Sequence, residues 1–178
     1  MRLALIGPRG AGKSTVAALV GARLDLPAMS VDDEIVKRTD RTIREIVAEH
    51  GWPEFRRLES EMLADLLDTH AERLVLDCGG GIVENERNRH VLRETDLIVY
   101  LTASVETLSS RYHRGTDQRP ALTAFGPAEE IRRVLAEREP LYQELADFVI
   151  ETDRLSPEEC AEEIARELDR RGQRKDRS

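Results

Sequence analysis

The sequence predicts a three-layer α/β/α fold around a five-stranded parallel sheet, and three features favour it. Short apolar runs alternate with segments of helical periodicity, which is typical of repeated βα units. A glycine-rich loop directly follows the first apolar run. The length of 178 residues suits one domain with a sizeable core. We therefore expect a single domain over residues 1–170 and, because few apolar residues follow, a basic disordered tail over residues 171–178.

The strands are predicted from the apolar runs themselves, at residues 2–6, 28–31, 73–76, 97–101 and 148–150. The first helix is expected after the glycine-rich loop, where four apolar residues recur at helical spacing and would face the sheet: Val16, Leu19, Val20 and Leu24. Two later helices are expected to begin at capping boxes, one at residues 42–45 and one at residues 156–159. The second box has proline at the first helical position, which also favours a helix start.

Composition and charge narrow the functional classes. A net charge of −8 argues against a nucleic-acid-binding protein, because such proteins need a basic face, and small-molecule partners are expected instead. No apolar stretch approaches the ~20 residues of a membrane span, and the N-terminus resembles a strand rather than a signal peptide, so we expect a cytoplasmic protein without membrane partners. The two cysteines form no C-x-x-C motif and the histidines show no ligand spacing with them, so no structural metal is expected.

The segment GPRGAGKST at residues 7–15 matches the phosphate-binding pattern G-x-x-x-x-G-K-[ST] between a predicted strand and a predicted helix. Backbone N–H groups of such a loop, together with the positive end of the helix dipole, bind phosphate oxygens. Lys13 is expected to act catalytically by reaching the β- and γ-phosphates, and the hydroxyl of Ser14 is expected to bind Mg²⁺. The residues predicted to hold ATP here are Gly10, Ala11, Gly12, Lys13, Ser14 and Thr15.

A phosphate-binding loop alone does not distinguish switch GTPases, motor ATPases and small-molecule kinases. The sequence contains no N/T-K-x-D motif for reading guanine, which argues against a GTPase. The chain is also short for a motor and has no second ATPase module. A small kinase therefore remains.

Residues near the ends of the other strands indicate an acceptor site. Asp32 follows the second strand, and the glycines at 79–81 follow the third. Ligands of open α/β sheets bind outside the carboxyl ends of the strands, so we expect these residues near the phosphate-binding loop. Arg56 in EFRRLE and Arg138 in EREPLY could clamp an acceptor that carries a carboxylate, because guanidinium groups bind carboxylates bidentately.

From Arg2 to about Leu168, the chain resembles the shikimate kinase family. Six segments in family order and spacing carry the resemblance: GPRGAGKST, VDDEI around Asp32, EFRRLE around Arg56, GGG at 79–81, QRP around Arg119 and REPLY around Arg138. The resemblance implies a monomeric P-loop kinase with a nucleoside-monophosphate-kinase-like fold and a mobile lid. It also implies transfer of the γ-phosphate of ATP, with Mg²⁺, to the 3-hydroxyl of shikimate in aromatic amino acid biosynthesis.

The resemblance assigns roles to the acceptor residues. Asp32 would bind the acceptor's hydroxyls and orient or deprotonate the attacking one, the alternative being an N-cap for a helix over residues 33–37. Arg56 and Arg138 would grip the acceptor's carboxylate. Glu59, one turn after Arg56, could brace that side chain, whereas the alternative for Arg56 is a solvated surface arginine.

Three consecutive glycines, Gly79, Gly80 and Gly81, would let backbone N–H groups approach the acceptor where a Cβ would obstruct it. The alternative is a flexible loop between a strand and a helix.

A stretch rich in Gly, Pro, Thr and charged residues at about 111–127 suits a mobile lid that excludes water. By resemblance, Arg119 is the catalytic lid arginine, which meets the nucleotide phosphates on closure. Arg111 is similar to the family's nucleotide-side arginine, with a surface charge as the alternative. Arg154 lies in the segment that contacts adenine in the family, largely through backbone and stem atoms.

The sequence departs from the family pattern at the expected Mg²⁺ site. Where family members carry Asp-x-Asp after the second strand, this chain has Ser30 and Asp32. The third strand ends in Asp77 instead of a small residue, and an apolar run followed by aspartate is the usual Mg²⁺-side pattern of P-loop enzymes. Our hypothesis is that Asp77, together with Ser14, serves the metal, the alternative being a loop cap beside the glycines.

These departures leave two further functions open. The chain could phosphorylate a related cyclic polyol, including an aminated shikimate. It could also be a nucleotide-binding regulatory protein that has lost turnover. Four retained residues argue against a pure binder, which needs neither acceptor clamps nor a lid arginine: Lys13, Asp32, Arg119 and Arg138.

Overall fold

The computed structural model of the chain describes residues 1–112 and 127–175. Within these ranges the strands are β1 (Arg2–Ile6), β2 (Ala28–Ser30), β3 (Leu74–Asp77), β4 (Leu97–Thr102) and β5 (Phe148–Glu151). The α-helices are α1 (Lys13–Leu24), α2 (Val31–Thr39), α3 (Ile43–Thr69), α4 (Glu86–Leu92), α5 (Val105–Tyr112), α6 (Pro127–Leu145) and α7 (Pro157–Lys175). A short 3₁₀ helix spans Ile82–Glu84.

The strands form one parallel sheet in the order β2-β3-β1-β4-β5. Strand β1 lies at the centre, between β3 and β4. Because the strands are parallel, their carboxyl ends share one edge of the sheet, and the loops after β1, β2 and β3 lie there side by side. The predicted α/β class and the number of strands are confirmed.

Helices cover both faces of the sheet, which confirms the three-layer arrangement. Side chains alternate along β1, so that Ile6 joins the core beneath α2, α3 and α6, whereas Leu5 joins the core beneath α1 and α7. In α1, Val16 and Val20 are buried in the second core, and the other two residues of the predicted stripe are half-buried. The apolar face of α1 is therefore the one that the sequence predicts.

Both predicted capping boxes are present. The hydroxyl of Thr42 accepts a hydrogen bond from the backbone N–H of Glu45 at 3.2 Å, and the Glu45 carboxylate accepts one from the Thr42 N–H at 2.7 Å. Ser156 and Glu159 make the same two bonds at 3.2 and 2.7 Å. Because these bonds satisfy N–H groups that a first helical turn leaves unpaired, α3 and α7 begin at the predicted places.

Helix α2 begins earlier than the sequence suggests. Strand β2 ends at Ser30 and the helix starts at Val31. The hydroxyl of Ser30 caps the helix by accepting from the backbone N–H of Asp33 at 3.3 Å. The alternative interpretation of Asp32 as an N-cap is therefore wrong, because Asp32 lies inside the first turn of α2.

Helix α3 is bent at Gly51, whose φ and ψ angles are 79° and 172°. The part of α3 that follows the bend is therefore directed independently of the part before it. This second part carries Arg56 and Glu59, two residues of the predicted acceptor site.

The C-terminal end differs from the predicted tail. Residues 171–175 continue α7 to Lys175. Arg171 pairs with Glu167, one turn earlier, at 2.9 Å and with Asp147 at 3.5 Å. These ion pairs support the end of the helix, although its composition alone favours a frayed segment. Residues 176–178 lie outside the described ranges.

The predicted lid at 111–127 falls mainly outside the described residues, and Arg119 lies among those that are not described. Its first two positions are helical and end α5, and position 127 begins α6. In the described parts of the chain, no helix combines the length and apolarity that crossing a membrane requires.

Candidate active site

The loop between β1 and α1 has a backbone shape suited to phosphate. Gly7, Gly10 and Gly12 have φ angles of 140°, 87° and 92°. Gly12 is the N-cap of α1 with a ψ angle of 13°, a left-handed conformation that residues with a Cβ adopt only at a cost. Glycine at this position therefore lets the loop turn directly into the helix.

The N-terminus of α1 is open to an anion. No side chain of the described residues caps it, and no acidic residue lies in its first turn. By contrast, the side chains of Ser30, Thr42 and Asn85 cap α2, α3 and α4. Backbone N–H groups at an uncapped helix N-terminus, at the positive end of the helix dipole, are a binding site for phosphate. This geometry fits the nucleotide that the sequence predicts.

Lys13 is held inside this loop. The residue is 8% exposed, and its Nζ donates to the carbonyl oxygens of Gly7 and Pro8, both at 3.0 Å. The flexible stem of lysine lets the ammonium group turn from these carbonyls towards a phosphate.

Ser14 and Asp77 meet on the α1 side of the sheet. The hydroxyl of Ser14 donates to Oδ2 of Asp77 at 2.5 Å. Asp77 faces this side because side chains alternate along β3, where Leu74 and Leu76 join the opposite core. A hydroxyl and a carboxylate in contact provide the hard oxygen ligands that Mg²⁺ prefers.

Asp77 also lies directly opposite Ser30. The two residues are register partners in β3 and β2, and neighbouring strands lie about 4.8 Å apart. The carboxylate that is missing at position 30 is therefore present one strand away. Burial raises the pKa of Asp77, while the Lys13 charge and the hydrogen bond from Ser14 oppose that rise. Since Asp77 lies within β3 and bonds to the phosphate-binding loop, a role as a loop cap beside the glycines is not supported.

Arg56 and Arg138 converge on one carboxylate. Nε of Arg56 lies 3.2 Å from Oε2 of Glu84. Arg138 places both Nε and Nη2 2.9 Å from Oε1 of the same glutamate. The side chains of Arg56 and Arg138 are only 24% and 10% exposed, so neither is a solvated surface arginine. The structure thus brings together the two guanidinium groups that the sequence assigns to a common partner.

Glu59 braces Arg56, as the spacing of the two residues predicts. Oε2 of Glu59 accepts from Nη1 of Arg56 at 2.8 Å, and the glutamate is fully buried. Burial raises the pKa of Glu59, whereas the charges of Arg56 and Arg138 oppose that rise. Its other oxygen, Oε1, is buried and accepts no hydrogen bond from the described residues. One buried carboxylate oxygen therefore has hydrogen-bonding capacity for a ligand.

Two glycines after β3 make room for these side chains. A Cβ on Gly79 would lie 2.4 Å from Oε1 of Glu59 and 3.2 Å from Oδ1 of Asp32. A Cβ on Gly81 would lie 2.0 Å from Nη2 of Arg56. Only glycine permits such close approach, so these residues do more than provide a flexible loop.

A tyrosine of α6 holds the backbone of Gly80 in place. The buried hydroxyl of Tyr142 donates to the carbonyl oxygen of Gly80, and the Tyr142 ring stacks on Tyr100 with centroids 4.9 Å apart. Tyr142 lies one helical turn after Arg138, so this contact also holds Arg138 against the glycine loop.

Five of the residues described above line one cavity beside the phosphate-binding loop: Arg56, Glu59, Gly80, Gly81 and Arg138. Charged side chains of Arg9 and Glu130 also line this cavity, which extends to Pro8. The Arg56 guanidinium lies 5.4 Å from the centroid of the Trp52 ring and 5.5 Å from that of Phe55, within cation–π distance. Aromatic faces and ion pairs together therefore fix the orientation of Arg56.

Gly79→Ala is expected to lower the free energy of unfolding by about 1–3 kcal/mol, because the added methyl group overlaps the buried Glu59 carboxylate. Gly172→Ala is the matched control, since a Cβ there meets no atom within 4 Å and alanine favours a helix. Urea denaturation of both variants and the wild type measures the difference. Equal stability of the two variants would contradict the close packing around Gly79.

Arg111 joins the phosphate-binding loop to the segment after β5. It donates to the carbonyl oxygen of Gly10 at 3.3 Å, and to the hydroxyl and carbonyl oxygens of Thr152 at 3.0 and 3.1 Å. Arg111 is therefore a half-buried bridge and not a surface charge. Arg154 differs from Arg111. Its side chain is 82% exposed and pairs with Glu151 at 3.6 Å.

Sequence reasoning did not identify Glu84 or Tyr142 as site residues. Tyr142 lies in the REPLY segment, four residues after Arg138, and that helical spacing could have marked it. Glu84 offers no comparable signal, because its contacts depend on where α3 and α6 each meet the 3₁₀ helix.

The chain is similar to shikimate kinases in sequence and structure. The family model described as shikimate kinase matches residues 9–169. The shikimate kinase of Pseudomonas savastanoi pv. phaseolicola is 43% identical over 166 residues, which cover 93% of this chain and 95% of that protein. The shikimate kinase of Methylococcus capsulatus is 39% identical over 170 residues, covering 96% and 93%. The solved shikimate kinase from Acinetobacter baumannii in complex with shikimate is 33% identical, with a TM-score of 0.87 and coverage of 94% and 92%.

Proposed function

The chain belongs to the shikimate kinase family, and we propose that it transfers the γ-phosphate of ATP to the 3-hydroxyl of shikimate in aromatic amino acid biosynthesis. The observation that carries this proposal is the convergence of Arg56 and Arg138 on one carboxylate beside the phosphate-binding loop. Two guanidinium groups in this arrangement suit an acceptor that itself carries a carboxylate, as shikimate does.

The groups around Gly79 suit the hydroxyls of the acceptor. Asp32 and Glu59 both approach Gly79, and each carries carboxylate oxygens that can accept hydrogen bonds. We assign Asp32 to orient the attacking hydroxyl and to accept its proton. Arg56 and Arg138 hold the carboxylate at the other end of the acceptor, and this fixed orientation lowers the entropic cost of the reaction.

The loop at residues 10–15 and the N-terminus of α1 are assigned to the phosphates of ATP. ATP supplies the phosphoryl group, and bound Mg²⁺ offsets its charge. Lys13 turns from the loop carbonyls to the phosphates and stabilises the charge that develops during transfer. Arg111 and Arg154 are proposed on the nucleotide side, and Arg119, outside the described residues, is proposed to contact the phosphates from the lid.

Ser14 and Asp77 are proposed to hold Mg²⁺ and its bound water, with Asp77 replacing the carboxylate that is absent at Ser30. Two observations support this assignment: Ser14 and Asp77 are in contact at 2.5 Å, and positions 30 and 77 are register partners on neighbouring strands. Among the described residues, no group of three or more His, Cys, Asp or Glu could hold a metal. A nucleotide-bound Mg²⁺ requires few protein ligands, because phosphates and water complete its coordination.

Asp77→Asn is expected to raise the Mg²⁺ concentration for half-maximal ADP binding by about 10- to 100-fold, as when a group that orients a metal's ligands is removed. The amide keeps the shape of the side chain but loses its charge. Calorimetric titration of ADP at stepped Mg²⁺ concentrations measures the shift. Asp65→Asn is the control, because Asp65 is exposed and pairs with Arg38 on the surface.

A double variant tests whether a carboxylate at position 30 can replace that of Asp77 in binding Mg²⁺. Ser30→Asp combined with Asp77→Ala should recover most of the Mg²⁺ affinity, because the positions are register partners and aspartate also caps helices. Unchanged Mg²⁺ dependence in Asp77→Asn would remove Asp77 from the metal site.

A coupled ADP-release assay with shikimate, quinate, aminoshikimate or gluconate tests the function. We expect ADP release to require shikimate and to be slower with the other acceptors. Preference for aminoshikimate or quinate would support a changed acceptor, and release without any acceptor would indicate an ATPase. No release under any condition would indicate a nucleotide-binding regulatory protein.

The enzyme is also proposed to work as a cytoplasmic monomer without nucleic-acid or membrane partners. Each described residue assigned to ATP or shikimate comes from a single chain, so these contacts need no second copy. The net charge of −8 disfavours binding to nucleic-acid phosphates. Light scattering in the presence of both ligands tests the oligomeric state.

A further inference from the structure

Glu84 is the shared partner of Arg56 and Arg138, the two arginines that together form the clamp. It ends the 3₁₀ helix after the glycine loop, and its side chain is 41% exposed. One carboxylate oxygen lies 3.2 Å from Nε of Arg56, and the other accepts from Arg138 at 2.9 Å. Glu84 thus occupies donors that an acceptor's carboxylate would need.

We propose that Glu84 is an internal competitor that the carboxylate of shikimate displaces from Arg56 and Arg138, and that it sets the enzyme's affinity for shikimate. This inference rests on the proposed function. The Nε and Nη2 atoms of Arg138 that contact Glu84 form one edge of the guanidinium, the fork that binds a carboxylate bidentately. Glu84 and shikimate therefore cannot use this fork together.

The charges of the clamp explain why the carboxylate of shikimate replaces that of Glu84 instead of binding beside it. The guanidinium groups of Arg56 and Arg138 are balanced by two carboxylates, those of Glu59 and Glu84. The other two charged residues that line the cavity, Arg9 and Glu130, add one charge of each sign and leave this balance unchanged. A third carboxylate would add uncompensated negative charge to a partly buried site, whereas exchange keeps the balance.

Glu84, and not Glu59, is the carboxylate that exchanges. The Glu59 side chain is 1% exposed and packs against Gly79, so it cannot leave without disturbing the core. Glu84 has a half-exposed side chain at the end of a three-residue helix and can turn into solvent by a rotamer change.

Only molecules in which Glu84 has left Arg56 and Arg138 can bind the carboxylate of shikimate there. The apparent Kd for shikimate is therefore the intrinsic Kd divided by the fraction of such molecules. Because the Glu84 pairs are partly exposed, their contribution is modest. Removing the competitor should therefore lower the Kd for shikimate by about 3- to 10-fold.

Calorimetric titration of the full chain with shikimate, without nucleotide, tests the proposal. Glu84→Gln and Glu84→Ala should both bind shikimate about 3- to 10-fold more tightly than the wild type. The KM for shikimate should fall accordingly. Glu86→Gln is the matched control, because Glu86 lies two positions away with a side chain that is 79% exposed, and its Kd should equal that of the wild type.

A second ligand separates competition from a general change in the site. The carboxamide of shikimate lacks the charge that displaces Glu84, so its Kd should be similar in the wild type and both Glu84 variants. Equal tightening for the acid and the carboxamide would overturn the proposal, as would unchanged or weaker shikimate binding in the variants. If the wild type phosphorylates shikimate and the variants do not bind it more tightly, only this inference fails. If the wild type neither binds nor phosphorylates shikimate, the proposed function fails as well.

Discussion

Asp32→Asn is expected to lower kcat for shikimate phosphorylation by about 10²- to 10⁴-fold, the usual contribution of a positioned general base. Asp32 is 8% exposed, and its Oδ1 lies 3.2 Å from the point that a Cβ on Gly79 would occupy. The amide retains the volume and can still hydrogen-bond, but it cannot accept a proton. Turnover should therefore fall much more than the affinity for shikimate.

The neighbouring aspartate provides the control. Asp33 lies in the same first turn of α2 and is exposed, so Asp33→Asn should keep nearly the wild-type kcat. Steady-state assays of ADP release give kcat and KM for both variants, and single-turnover reactions isolate the transfer step. A wild-type kcat in Asp32→Asn, or an equal loss in Asp33→Asn, would remove Asp32 from its assigned role.

Lys13→Ala is expected to lower kcat by about 10²- to 10³-fold, the loss typical when one preorganised group that stabilises transition-state charge is removed. Lys13 is buried in the loop and donates to the carbonyl oxygens of Gly7 and Pro8. No other lysine lies in the loop, so the developing charge on the phosphates would lose this stabilisation. The KM for shikimate should change little, because the acceptor residues are untouched.

Lys37→Ala is the matched control for this variant. Lys37 is a surface residue with a side chain that is 69% exposed and pairs with Glu34. The same ADP-release assay and a calorimetric ADP titration should show wild-type values for it. If Lys13→Ala retained kcat while Lys37→Ala behaved like the wild type, the phosphates would have to be stabilised by other groups.

Features encoded in contiguous residues could be predicted from the sequence. The turn from β1 through Gly12 into α1 depends on a few adjacent residues, and the capping boxes at Thr42 and Ser156 depend on four each. The order of strands and helices followed from apolar periodicity, because each element must bury one face or stripe.

Contacts between distant segments were harder to predict. The residue types made Arg56 and Arg138 candidates for a carboxylate clamp, but only the family resemblance assigned both to one carboxylate, since nothing local directs α3 and α6 towards the same 3₁₀ helix. Their common partner Glu84 was missed for the same reason. The end of α7 was missed because only one partner of Arg171, Glu167, is local, whereas the other, Asp147, is remote in the sequence.

An error of one residue in the predicted end of a strand also changed the role considered for a nearby side chain. Placing the end of β2 one residue too late left Asp32 as a possible helix cap, although Ser30 performs that task. The hydrogen bond that Ser30 accepts from the backbone N–H of Asp33 is local, but serine and aspartate are both good caps and composition does not choose between them.

Because positions 30 and 77 are register partners on β2 and β3, an acidic group that leaves one column of an alignment can reappear in another, one strand away in the folded sheet. A search that demands both aspartates of the usual motif would discard this chain as defective. A search that also accepts a carboxylate at the register partner on the neighbouring strand would retain it.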